Sequence, residues 1–503
     1  MNNDKPKIIV LGLLCVGVSF AVYWRTLAPT VFTFDSAEFA TGAYTLGITH
    51  ATGYPFYLLL AKLFTLLAIG DVAYRVNLMS AVWGAVTIGL LYLICYRITA
   101  RVWLSAAVAL CSAFSYYYWR EAVIAETATL NTTLISLLIL LLLSPSEHWY
   151  PKTMALSGLI LGLSFANHMS TILTIPAIVY WGVVNRERMQ PWPKAIAIFS
   201  LFVLFGLLFY LYLPIRYVAD PPLNYAKMYF DVDLTTPGGL WSWITAEMFR
   251  PYMVAHDGLA ILDETVKYLT WLWTNFLGAG VLIGIIGLVQ MLRRDPRQFV
   301  FFALLYAAYT LFFINYRVVD KDRMFSVSYL LWAIWLAYGV LAIDAWFGAQ
   351  RMRGGVASAF VAILALVTLV LNYPFADQSS NRMASEFAGQ LLQNARPAAF
   401  IVTEWTWATP LEYYQIVENR RPDVTVFDRG LAGLAVWNRL RERGIPDSLA
   451  LERITQSLAE RIQSEIARRP VYATEYDDAL TRWFVFIPEN RYYRLEPRPG
   501  ALP

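Results

Sequence analysis

The segment "GYPFYLLLAKLFTLLAIGD", residues 53–71, decides how the rest of the chain is threaded. A helix satisfies its own backbone inside a bilayer only when about 20 apolar residues cross the hydrocarbon. This segment is apolar over only about 16, with Lys62 in its middle, so it falls short of a span. It is expected to lie at, or dip into, the outer membrane surface as a helix.

Working outward from it, apolar runs predict spans near residues 8–25, 77–98, 102–118, 129–144, 153–167, 170–184, 195–213, 268–291, 299–315, 325–347 and 356–373, about eleven helices in all. With Lys5 and Lys7 inside, the alternate loops carry Arg97 and Arg101, then Lys152, then Arg186, Arg188 and Lys194, then Arg293, Arg294 and Arg297, then Arg351 and Arg353. Each cluster lands on the cytoplasmic side, as the positive-inside rule requires. Had residues 53–71 crossed, every later cluster would face outward. The first run is read as a retained span, because "TLAPTVF" is a poor small-residue cleavage site.

The composition agrees. Of 503 residues, 58% are apolar and 15% charged, against roughly 45–50% and 25% in soluble domains. The net charge of +4 is too small and too scattered to suggest nucleic acid, and no such partner is expected. Cys15, Cys95 and Cys111 lack the paired spacing of a disulfide framework or metal knuckle. After residue 375 the chain turns polar and mixed. Strand-like "AAFIVT", "VTVFD", "PVYATE" and "RWFVFIP" alternate there with helix-like stretches around 408–418, 432–443 and 450–467. The expected architecture is a mainly α polytopic membrane domain, 1–375, followed by a small extracytoplasmic α/β domain, 376–503. An odd number of spans puts the second domain outside.

The outer loops then collect the unusual chemistry. The first holds Asp35, Glu38, His50 and Tyr54, the second Arg120, Glu121 and Glu126, and His168 stands between two spans. A long loop adds Arg216, Lys227, Arg250 and His256, and "NYRVVDKDRMF" adds Arg317, Asp320, Lys321, Asp322 and Arg323. Carboxylates and guanidinium groups at one membrane face suggest an acid/base site beside an anion site. The bland readings are equally physical: loop charges are usually solvated, Asp35 could be an ordinary N-cap, and "WSW" fits an aromatic belt. His50 and His168 beside the acids would allow a divalent metal, but no ligand pair stands at diagnostic spacing, so none is indicated.

The first-loop block "TFDSAEFATGAYTLGITHATGYPFYLLLAKLF", followed by "AYRVNLMSAVWG", resembles the signature of a family of polytopic GT-C type glycosyltransferases that includes an animal endoplasmic-reticulum protein O-mannosyltransferase. Asp35, Glu38, Leu46, Gly47, His50, Gly53, Tyr54, Pro55, Tyr57, Arg75, Asn77 and Leu78 match its pattern. "HATGYP" lacks the two prolines that follow the histidine there, and Thr127 and Ala128 stand where a Val-Tyr pair follows the second-loop glutamate. "AETATLN", "FANHMSTIL", "YLPIRYVADPPLNY" and "RRPDVTVFD" also resemble family segments.

The resemblance implies transfer of a sugar from a polyprenyl-phosphate donor, at the outer membrane face, to an acceptor hydroxyl of a protein or glycan, with membrane lipid around the donor tail. Single displacement with inversion is expected, with Asp35 as base and Glu38 as second candidate or orienting group. His50, Tyr54, Glu126, His168, Arg216, Arg250, Arg317, Asp320 and Arg323 are the substrate-binding candidates, the four arginines for phosphate. A bacterial inner membrane with a periplasmic C-terminal domain is the expected home. The rival class is a transporter or lipid flippase, which needs ionisable residues within its spans. "LLYLIC", "LISLLILLLL" and "FLGAGVLIGIIGLV" hold almost none.

Overall fold

The computed structural model describes residues 5–143, 150–349 and 355–501. Arg351 and Arg353, the last basic cluster, lie outside the described residues. Each of the eleven predicted spans corresponds to helix, with different breaks. The first four helices are α1 (Lys5–Arg25), α2 (Asp35–Thr45), α3 (Pro55–Thr65) and α4 (Val72–Thr99).

Helix α3 is the segment from which the threading was read. Its 11 residues rise about 16 Å, half the thickness of a hydrocarbon core. Pro55 opens it at a position where no amide proton is missed, and Lys62 reaches back to the Tyr44 carbonyl at the end of α2. Helix α4 starts earlier than its hydropathy suggests because Asp71 caps it, accepting from the Tyr74 amide at 2.7 Å.

By length and apolarity, six described helices can cross a membrane: Lys5–Arg25, Val72–Thr99, Trp192–Ala219, Pro296–Asn315, Ser326–Gly348 and Val356–Ala376. Pro55–Thr65, Val102–Ala113, Ala128–Leu142 and Met169–Val184 are shorter apolar helices. The expected continuous helix over 268–291 is instead two, Gly258–Asn275 and Ala279–Arg294, bent by 104°. Gly278 explains the break: it sits at φ 65°, and a Cβ there would lie 2.4 Å from the Trp273 ring. Counted as one broken span, the pair raises the number to seven.

Helix α4 and Ser326–Ala349 form the interior of the bundle, while Ile9, Leu13, Leu201, Leu204 and Val370 turn apolar side chains outward. Such a surface belongs in lipid.

Beyond residue 383 a five-stranded sheet forms, in the order β2 (Thr425–Asp428), β1 (Phe400–Thr403), β3 (Val471–Ala473), β5 (Tyr492–Pro497), β4 (Phe484–Glu489). Strands β1, β2 and β3 run parallel, and β5 pairs antiparallel with β3 and β4. Helices Trp405–Ile416, Arg429–Glu442 and Asp447–Ile466 make the connections that parallel strands require. The sequence reading gave four strands; the fifth closes a hairpin at Asn490, which adopts φ 60°.

Phe400, Val402, Ala459, Ile462, Val471, Phe484 and Leu495 form a small core of this sheet. A larger apolar cluster runs without interruption from Phe39, Tyr57 and Trp243 to Phe387, Leu411 and Tyr413. The sheet region is therefore packed onto the helical part rather than tethered to it.

Candidate active site

The loop between α2 and α3 is held from two sides. Its Ile48 amide donates to the Leu223 carbonyl at 2.8 Å, and the Tyr225 amide donates to the Ile48 carbonyl at 3.0 Å. Tyr212 donates to the Gly47 carbonyl at 2.7 Å. Gly53, at φ 84°, makes the turn that presents Tyr54. This strapping sets His50 opposite the first turn of α2, where Asp35 and Glu38 stand three residues apart on one face.

Glu38 is fully buried and both of its oxygens are engaged. The His50 amide donates to Oε1 at 2.6 Å, and His50 Nδ1 lies 2.6 Å from Oε2. His50 Nε2 lies 2.7 Å from the Tyr54 hydroxyl and 4.0 Å from Asp35 Oδ2. Burial alone would lower the imidazole, but the Glu38 and Asp35 carboxylates outweigh it and hold His50 up to about 9. It is therefore a cation at neutral pH. Burial raises the Glu38 carboxyl, against the pull of His50.

Asp35 keeps 31% of its side chain exposed, so a substrate can reach it. Its Oδ1 accepts from Trp405 Nε1 at 2.6 Å. Ligand atoms of Asp35, Glu38 and His50 fall within 4.8 Å of one another. A divalent ion could be held there in place of the Glu38–His50 bonds; with those bonds made, the three residues form a hydrogen-bonded relay with Tyr54.

The second acidic group adjoins the first. Arg323 lies 3.6 Å from both Glu121 Oε1 and Glu126 Oε1. Burial pushes Glu121 up to about 7 and raises Glu126 further, where Glu121 and Asp35 add their repulsion. Asp320 is raised by burial and then by Asp35. Arg120 lies 3.7 Å from Asp322. His168, whose ring centre is 5.8 Å from that of Tyr54, accepts from the Ser170 amide through Nδ1. Burial, with the nearby charge of His50, lowers it to about 4 and keeps it neutral.

Asp35, Glu38, His50, Tyr54, Glu126, His168, Asp320 and Arg323 thus gather at one place. The other three arginines stand differently. Arg216 donates to the Leu46 and Thr45 carbonyls at 2.7 and 3.1 Å, closing the C-terminal end of α2. Arg250 forms an exposed pair with Glu247 at 3.1 Å. Arg317 donates its backbone amide to the Tyr252 carbonyl at 2.9 Å and lies over the Tyr252 ring, 5.6 Å from its centre; among the described residues its guanidinium is the one of the four without a carboxylate or carbonyl partner.

Sequence reasoning missed Trp405, whose distance of 370 residues from Asp35 leaves no local pattern. It also missed that Lys321 is buried, its ammonium 2.6 Å from Glu264 Oε2, 3.2 Å from His256 Nε2 and 3.2 Å from the Ile314 carbonyl.

Residues 35–191 match the Protein O-mannosyl-transferase TMEM260 N-terminal domain family. The mouse Protein O-mannosyl-transferase TMEM260 is 26% identical over 435 residues, covering 81% of this chain and 61% of that protein. The Dictyostelium discoideum protein of the same name is 22% identical over 475 residues, covering 84% and 57%. The chain thus spans about three fifths of the length of these relatives. The fold is that of ArnT from Cupriavidus metallidurans. Its crystal structure bound to undecaprenyl phosphate aligns with a TM-score of 0.57 at 12% identity, over 98% of this chain and 99% of that one. The apo structure aligns equally well, at 14% identity over 96% and 97%.

Proposed function

We propose, taking the chain's place in the GT-C type family as the premise, that it moves a sugar from a polyprenyl-phosphate donor to an acceptor hydroxyl at the outer membrane face, with inversion. Protein O-mannosylation is the form that its relatives' name favours. The observation that carries the reading is the exposed Asp35 carboxylate beside a buried Glu38–His50–Tyr54 relay, at the edge of an apolar bundle.

Asp35 acts as base. The acceptor oxygen bonds to the anomeric carbon, its proton passes to Asp35, and the bond from that carbon to the phosphate oxygen breaks with its electron pair. A polyprenyl phosphate dianion leaves. Glu38 has no free oxygen, so it orients His50, and the imidazolium places a positive charge beside the reacting carboxylate. Arg317 is the arginine free to meet the phosphate, in keeping with guanidinium's fit to such anions. Residues 1–375 are then the catalytic membrane domain, and 376–503 face the periplasm of a bacterial inner membrane.

Purified protein given polyprenyl-phosphate mannose should release or transfer mannose. Asp35→Asn keeps the side chain's size and its Oδ1 acceptor but cannot take the proton, so turnover should fall at least about 100-fold. Absence of turnover across a panel of polyprenyl-phosphate sugars sinks the enzyme reading. Normal turnover by Asp35→Asn sinks the assignment of the base.

A further inference from the structure

Asp35 has two carboxylate oxygens in unlike surroundings. One is held by Trp405, the first residue of a helix that follows β1 in the sheet region. The Trp405 ring also stands edge-on to His50, at 5.6 Å and 89°, and meets Tyr225 at 5.6 Å. One turn further along, Thr409 donates to the Phe34 carbonyl at 2.7 Å. Phe34, at φ 57°, supplies no side-chain cap to α2. The helix Trp405–Ile416 therefore grips α2 twice, on the backbone just before Asp35 and on the Asp35 carboxylate itself.

That grip is anchored away from the membrane. Glu404 pairs with Arg429, and Arg429 pairs in turn with Asp477 near the end of β3. At the other end of the helix, Glu412 accepts from Tyr225 and from Tyr229. The position of the indole is thus fixed by the sheet and by the 225–229 segment together.

We infer that Trp405 is a positioning residue for the transfer reaction, selecting Oδ2 of Asp35 as the oxygen that takes the acceptor's proton. An indole N–H can only donate. The bond to Oδ1 takes one of its lone pairs and lowers its basicity, so Oδ2, on the side facing His50, is the favoured seat for the proton. The bond also fixes the plane of the carboxylate, which otherwise turns freely about a broad torsion. The sheet region is by this account part of the reaction centre and not only a cover for it. The inference rests on the assignment of Asp35 as base.

The test uses full-length protein in detergent or vesicles, with polyprenyl-phosphate mannose as donor. Trp405→Phe keeps the ring against His50 and Tyr225 but loses the N–H. It is expected to lower kcat roughly 10- to 100-fold, the scale of a misplaced reacting group, with donor KM and thermal stability nearly unchanged. Trp405→His, which restores a ring N–H, should recover part of the loss. In an Asp35→Asn background, Trp405→Phe should have no further effect on residual turnover, because the two act as a unit. Normal kcat in Trp405→Phe with Asp35→Asn inactive overturns the role of Trp405 and leaves the base in place. Normal turnover in both variants removes the base assignment itself. If Trp405→Phe does not fold, the His variant and its cycle with Asp35→Asn decide, and additive losses there overturn the inference.

Discussion

A carboxylate buried without a cation is costly, and Glu38 avoids that cost by giving both oxygens to His50. The pairing makes His50 a measurable reporter. Glu38, Asp35 and Asp320 raise it, burial opposes them, and neutral His168 lies nearby. Its pKa when folded, about 9, lies above the ordinary value near 6.5. A proton bound more tightly in the native state stabilises it fully below the unfolded value and progressively less as pH rises through the folded one. The thermal stability of the wild type should therefore exceed that of His50→Asn by most at pH 6 to 6.5, and the gap should close as pH approaches 10. A gap that stays constant over that range would show that His50 is not charged in the folded protein.

At the scale of elements, each of the eleven apolar runs falls on helix, because an apolar run is a property of consecutive residues, although only six of the described helices, or seven with the bent pair, are long and apolar enough to cross. The brevity of α3 was legible for the same reason, since Lys62 interrupts its apolar run. The break at Gly278 was not, because an apolar sequence reads alike whether straight or bent, and only the left-handed backbone reveals the turn. Asp35, Glu38, His50 and Tyr54 were legible as a block because they lie within 20 residues of one another. Arg216 shows where that reading stops. Its charge suggested phosphate, whereas its guanidinium closes the last turn of α2, where unpaired carbonyls attract a cation. Arg216→Gln should cost about 1–3 kcal/mol of stability. Arg317→Ala, which removes no hydrogen bond of its side chain among the described residues, should leave stability nearly unchanged and raise donor KM. The converse pattern, with Arg216 altering KM alone, would exchange the two roles.

For the whole molecule, the membrane orientation and the reaction stand on the same parity. Asp35 follows α1 directly, and Trp405 comes after the last apolar helix, Val356–Ala376, yet the two residues touch. Both ends of the bundle's path must then open onto one side of the membrane. The contact requires an even number of crossings between Asp35 and residue 376, which with α1 makes the total odd, as the seven obtained by counting the bent pair as one span do; a cytoplasmic start then makes the shared side the outer one. Cys15, Cys95 and Cys111 are all buried, so the native thiols give a low labelling background. Single cysteines can therefore report sidedness. Ala479→Cys, exposed beside β4, should react with a membrane-impermeant maleimide applied to intact spheroplasts. Lys194→Cys, exposed before the helix Trp192–Leu207 has run its first turn, should react only after the membrane is permeabilised. Labelling of both from one side would mean that the path between them crosses an even number of times, which the contact between Trp405 and Asp35 allows only if the basic loop around residue 194 is also extracytoplasmic. The positive-inside pattern forbids that arrangement, so this outcome would overturn the assigned topology and, with it, the placing of the transfer site at the outer face.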